Sequence, residues 1–172
     1  MNLQSNDFEL FGLVQQFLQD RSALDARWKE LQREAHPDKF AAQGDAAQRV
    51  AMQWSVRINE AYQRLKDPIK RAAYLCELAG SPINAHSNTA MPAAFLMQQM
   101  QWREELDEAA SVEALDALRE NVDTVQRDLL NDCARHIDAE GDYAAAVQSV
   151  RSLMFIEKFG RDLDLALDKL ET

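Results

Sequence analysis

The first apolar cluster along the chain is short, running from Phe8 to Leu13 between polar stretches. From Ser22 onward the spacing becomes helical: Leu24, Trp28, Leu31 and Ala35 recur at three- and four-residue steps and share one face. Ser22 followed by Asp25 is a capping-box variant, with Asp in place of the usual Glu or Gln. Pro37 disfavours the α conformation at His36, so this helix is expected to stop there, with Pro37 to Gly44 as a loop. Asp45 is placed to cap a third helix that runs to about Lys66. Its stripe is Val50, Trp54, Ala61 and Leu65, with Ile58 toward the edge. Asp67 and Pro68 open a fourth helix as cap and first helical residue, and Gly80 sits where a left-handed stop belongs.

The pattern then lapses. Ser81 to Met91 holds Pro82, Asn84, Ser87, Asn88 and Thr89 without a periodic apolar face, a turn-rich composition that reads as a linker. Beyond it, helical periodicity resumes over about Pro92 to Ala110, Val112 to Glu140 and Tyr143 to Leu170, punctuated by Ser111 and by Gly141 with Asp142. Leu115, Leu118, Val122, Val125, Leu129 and Cys133 alternate in three- and four-residue steps, the seam of a bundle. Short connections imply antiparallel neighbours. The expectation is an all-α protein: an antiparallel helical hairpin with flanking helices over residues 1–80, a linker over 81–91, and a three-helix bundle over 92–172.

Charge distinguishes the two halves. The formal net charge of −10 is carried by the second, since Met1 to Gly80 holds 11 basic and 11 acidic residues and Ser81 to Thr172 holds 8 and 18. An acidic bundle repels phosphates, which argues against nucleic acid and for a neutral or basic protein partner. No stretch approaches the roughly 20 apolar residues that span a bilayer, and the N-terminus lacks a signal-peptide pattern. Cys76 and Cys133 stand far apart without a CxxC pair, so they read as buried thiols rather than a disulfide framework or zinc site. A reducing, cytoplasmic setting is the expectation.

The most informative local string is Ala35-His36-Pro37-Asp38-Lys39-Phe40 between two amphipathic helices. Downstream come Ile58-Asn59-Glu60-Ala61-Tyr62, Leu65, Asp67-Pro68 and Lys70-Arg71-Ala72-Ala73-Tyr74. In residues and spacing the whole resembles a J domain. That resemblance implies that His36, Pro37 and Asp38 form the loop that engages a DnaK-type chaperone ATPase. Proline fixes the backbone and leaves the imidazole and carboxylate presented for polar contacts, with Asp38 meeting a partner arginine. It also implies a contribution from basic residues of the second helix. Here Lys29 and Arg33 face away from the apolar stripe, with Arg27 at its margin. Glu30 and Glu34 interrupt that surface, and Ala35 stands where many J domains have tyrosine, so the implied affinity is modest and salt-sensitive.

A Gly/Phe-rich linker and CxxCxGxG repeats, present in ordinary DnaJ relatives, do not follow. Phe11-Gly12-Leu13, His36 to Phe40, Phe95-Leu96-Met97 and Arg103-Glu104-Glu105-Leu106-Asp107-Glu108 make nearly the whole chain similar to the HscB family, J-type co-chaperones of iron–sulfur cluster assembly. The family resemblance implies two partners, an HscA/DnaK-type chaperone for the J domain and an IscU-type scaffold protein for the bundle. The implied scaffold site is Leu96, Met97, Met100, Gln101, Glu104, Glu108 and Phe155; at Gln101 the family usually has an acid.

The residues themselves point to the same face. Phe95, Trp102, Leu106 and Ala109 fall on one side of the first bundle helix as core, while Leu96, Met97, Met100, Glu104 and Glu108 fall roughly opposite. On the last helix Leu153, Leu163, Leu167 and Leu170 define an inner face, from which Phe155 points away. Adaptable methionines, an aromatic anchor and steering carboxylates suit protein recognition. An enzymatic reading lacks a nucleophile motif, a glycine-rich phosphate loop or a metal-ligand set, and His86 and His136 are isolated. No cofactor or metal is expected. The alternative from another class is a helical adaptor whose J domain no longer stimulates an ATPase.

Overall fold

The computed structural model describes residues 2–84 and 91–172. The linker reading is therefore followed only over its ends, and His86 lies outside the described residues. All regular elements are helical, with no strand among the described residues. The chain divides into two compact units, Met1–Leu75 and Cys76–Thr172, the division falling inside one helix.

In the first unit, α1 (Asp7–Phe11) is opened by a full capping box. The Asn6 side chain accepts from the Glu9 N–H at 2.9 Å while the Glu9 carboxylate accepts from the Asn6 N–H at 3.2 Å. Gly12, at φ +65°, ends the helix in the left-handed region. α2 (Arg21–Glu34) is capped by Asp20 rather than Ser22; its carboxylate accepts from the N–H groups of Ser22 and Ala23. Asp25, expected to reach back to the cap, instead accepts from the Tyr62 hydroxyl at 2.7 Å and from Arg21. Those two hydrogen bonds, Tyr62 first, hold its carboxyl below the usual range.

Pro37–Gln43 is a 3-10 helix, not an irregular loop. α3 (Asp45–Lys66) follows with Gly44 at its N-cap position and no side-chain cap, so Asp45 serves only as an acid in the first turn. Its buried stripe is Ala51, Ile58, Ala61, Tyr62 and Leu65, whereas Val50 is 51 % exposed. The expected stripe was thus turned the wrong way at its start. At about 100° per residue, Ala51 lies about 20° from Ile58 around the helix and Val50 about 80°. α4 (Pro68–Leu78) is capped by Asp67, which accepts from Ile69 and Lys70, and Gly80 is left-handed at φ +82°.

Polar groups lock this unit internally. Asp7 is fully buried between Arg57, at 2.8 Å, and Arg64, and its own N–H donates to the Tyr74 hydroxyl. Arg71 is buried and donates to the carbonyls of Phe17 and Leu65, both at 2.6 Å. A buried charge persists only when paired in this way.

The second unit holds the end of α4, then α5 (Ala93–Glu108), α6 (Val112–Ala134), a π-helical turn (Arg135–Glu140) and α7 (Tyr143–Glu171). Ser111 caps α6 through Ala114 N–H, and Asp142 caps α7 through Ala145 N–H. The expected middle helix to Glu140 loses α geometry after Ala134 and closes at left-handed Gly141. Phe95, Trp102, Leu115, Leu118, Val122, Ile156, Phe159 and Leu163 form the core. Leu170, expected on the inner face, is 43 % exposed. Ile83, within the expected linker, is buried; its carbonyl accepts from Arg151 Nη2 at 2.9 Å and Nε at 3.2 Å. Cys76 and Cys133 are both buried and free.

Candidate functional site

The predicted site residues fall into two groups, one in each unit. In the first, the arrest of α2 builds the site. Pro37 offers no N–H to continue the helix, so His36 turns to φ −63°, ψ 127° and becomes the cap of the 3-10 segment. Its Nδ1 accepts from the Asp38 N–H at 3.2 Å. An Nδ1 that accepts leaves the proton of the neutral ring on Nε2. The tip therefore offers one ring donor and, two residues on, one carboxylate. The Asp38 side chain is 91 % exposed, and its Oδ2 stands 3.7 Å from His36 Nδ1. The structure brings His36, Pro37 and Asp38 together at an accessible turn between α2 and α3.

The basic residues of α2 are unequal. Lys29 and Arg33 are exposed, one helical turn apart. Arg27 is half-buried and already committed, donating to the Phe11 carbonyl at 3.2 Å and pairing with Glu30 at 3.0 Å. Exposed positive charge on this face comes from Lys29 and Arg33.

Behind the turn lies an apolar hollow of about 470 Å³, lined by Leu31, Ala35, Phe40, Val50, Ala51 and Trp54 among others. Sequence reading missed two residues near it. The Ser55 hydroxyl donates to the Ala35 carbonyl at 3.3 Å, and Gln32 donates to the Ser55 carbonyl at 3.4 Å. A polar residue at Ser55, one turn before Ile58 in a buried stripe, was the available clue.

In the second unit, Met97 and Met100 are 72 % and 74 % exposed, and Leu96, Gln101, Glu104 and Glu108 are exposed beside them on α5. Met100, Glu104, Glu108 and Phe155 share one shallow concavity of about 530 Å³, with Arg103 and Asp107 on its wall. Leu96, Met97 and Gln101 lie outside it; Gln101 is tied to Glu105 at 3.0 Å. Phe155 does not point away from the core as expected. It is half-buried, edge-on to Phe95 at 5.9 Å and stacked on Phe159 at 6.0 Å. The aromatic is thus floor to the concavity and rim to the core, because Phe155 lies only four residues from Phe159 on α7.

His136, Glu140 and Asp142 also approach one another, at the exposed end of the π-helical turn. Glu140 is paired there with Arg135 at 3.3 Å, and Asp142 is occupied as the α7 cap. No helix among the described residues is long and apolar enough to cross a membrane.

The chain is similar to known proteins along its whole length. Residues 91–164 match the family described as the HSCB C-terminal oligomerisation domain. The co-chaperone protein HscB homolog of Burkholderia multivorans is 47 % identical over 175 residues, covering 100 % of this chain and 99 % of that protein. The Paraburkholderia phytofirmans homolog is 46 % identical, covering 99 % and 98 %. Among solved structures, chaperone HscB from Vibrio cholerae superposes with a TM-score of 0.83 at 38 % identity, over 96 % of this chain and 99 % of that one. Human co-chaperone HscB superposes at 0.91 over 100 % and 86 %, and at 24 % identity it speaks to the fold alone. The exposed histidine–proline–aspartate turn, the all-helical architecture and near half-identity along its full length place the chain in the HscB family of J-type co-chaperones.

Proposed function

We propose that this chain stimulates the ATPase of an HscA/DnaK-type chaperone through His36, Pro37 and Asp38, and delivers an IscU-type scaffold protein to it through the face built around α5. The observation that carries the reading is the turn itself, an exposed tip that offers the His36 Nε2–H and the Asp38 carboxylate to a partner. Neither group has a substrate to act on within this chain. Their effect comes from binding the hydrolysis-competent conformation of the chaperone better than its resting one, which shifts that equilibrium and speeds its ATPase. Asp38 pairs with a partner arginine, while Lys29 and Arg33 add attraction to an acidic surface that salt screens. The chain is thus a regulator rather than a catalyst.

On the second unit, Leu96, Met97 and Met100 supply adaptable apolar contact, Glu104 and Glu108 supply charge, and Phe155 provides a firm floor. Gln101 contributes no charge. Such a face suits a folded client with a neutral or basic patch. The domain scheme follows: residues 1–80 meet the chaperone and 92–172 meet the scaffold, in the cytoplasm, without cofactor or nucleic acid.

The test is single-turnover ATP hydrolysis by an HscA- or DnaK-type chaperone, with wild type or His36→Gln added. Wild type is expected to accelerate hydrolysis and H36Q to leave the rate near its basal value. Equal rates would mean that the chain is an adaptor with a vestigial J domain.

A further inference from the structure

The turn that carries His36 and Asp38 has no buried residue of its own. A seven-residue 3-10 segment is also longer than this geometry usually sustains. Something outside it must fix its pose. In a continuing helix the Ala35 carbonyl would receive the N–H of Lys39, but that N–H donates to the His36 carbonyl instead, at 3.0 Å. The Ala35 carbonyl, released one residue before His36, is taken by the Ser55 hydroxyl. Ser55 is itself tied back to α2, because its carbonyl accepts from Gln32. The upstream end of the turn is thus fastened across the helical hairpin.

The downstream end is fastened differently. Within Pro37–Gln43 only Pro37 and Phe40 are half-buried, while Asp38 and Lys39 are exposed. Residues three apart eclipse one another on a 3-10 helix, so Pro37 and Phe40 form its single inward edge. Phe40 lines the apolar hollow with Leu31, Val50, Ala51 and Trp54. Its removal would leave Pro37 as the segment's one half-buried residue.

We propose that Ser55 and Phe40 are positioning residues for chaperone stimulation, clamping the two ends of the His36–Asp38 turn so that it meets the ATPase already ordered. This rests on the chaperone-binding reading above. A turn that must be ordered on binding loses affinity, while the complex once formed is unchanged. The clamp therefore acts on the concentration needed for half-maximal stimulation and leaves the maximum alone.

Ser55→Ala, Ser55→Thr, Phe40→Ala and Phe40→Leu are titrated against an HscA- or DnaK-type chaperone in single-turnover hydrolysis, beside His36→Gln. S55A and F40A are each expected to raise the half-maximal concentration about threefold to tenfold with an unchanged maximum. S55T should restore the wild-type value, and 15N relaxation should show residues 36–40 more mobile in S55A and F40A. Circular dichroism melts confirm that each variant folds; should F40A fail, the S55A/S55T pair and F40L decide. If H36Q is silent while S55A and F40A titrate like wild type, the clamp is wrong and the chaperone reading stands. If H36Q stimulates as wild type does, both fall. A lowered maximum with an unchanged half-maximal concentration also overturns the clamp.

Discussion

The backbone N–H of Asp38 donates to Nδ1 of His36, so the imidazole caps the same turn that it presents to solvent. This relationship fixes the tautomer as long as the ring is neutral. Nitrogen-detected or long-range 1H–15N NMR of the neutral ring is expected to find the His36 proton on Nε2. A predominant Nδ1–H form would mean that the cap is not made in solution, and that the ring does not offer its donor outward.

Buried charge gives a second expectation. Asp7 neutralises Arg57 and Arg64 from a fully buried position, and removing it leaves two guanidinium groups facing each other. Asp7→Ala should cost about 3–5 kcal/mol, read by urea denaturation. A loss below about 1 kcal/mol would show that water replaces the carboxylate with ease.

The face on α5 separates binding from folding. Leu96, Met97 and Met100 are exposed, so their joint replacement by alanine should change stability by about 0.5 kcal/mol or less. It should nevertheless weaken binding of an IscU-type scaffold, measured by calorimetry. Unaltered affinity would remove this face from the proposal.

Phe155→Ala behaves otherwise, since the ring is edge-on to Phe95 and stacked on Phe159. It should cost about 2–3 kcal/mol, below the range for a fully buried phenylalanine. A binding defect in that variant is interpretable only after its fold has been verified by thermal denaturation.

The cysteines supply a pH dependence. Burial pushes the Cys76 thiol up to about 11 and the Cys133 thiol up to about 12, from ordinary values near 9. Because the folded values are raised, their contribution to stability is complete below about pH 9 and is lost as pH rises toward 11–12. The native protein should resist alkylation by iodoacetamide at pH 7.5 and react fully in denaturant. Rapid modification of either cysteine without unfolding would contradict their burial.

Much of this was legible in the sequence because helices bury one stripe and break at proline. The α6 seam, the Asp67–Pro68 start and the exposure of Met97 and Met100 all follow from periodicity and local chemistry. What stayed hidden depends on neighbours. Asp20 outcompetes Ser22 as a cap because Asp25 is drawn to Tyr62 of α3, a contact 37 positions away. The stripe of α3 is decided between Val50 and Ala51 by the partner helix, not by hydrophobicity. Phe155 lies at the seam between core and surface, where a helical wheel assigns either side. The hydrogen bond on the Ala35 carbonyl joins residues twenty apart, and the polar Ser55 beside a buried stripe does not by itself name its acceptor.

The seat of Ile83 bears on how the protein can be dissected. A fragment begun at Pro92, where the turn-rich composition ends, would lack the carbonyl that receives two Arg151 N–H groups, and would also leave behind the buried residues Cys76 and Ile83. Excision there strips a plug from the wall of α7. The C-terminal compact unit begins at Cys76 and includes Ile83, a residue that composition alone would discard as spacer.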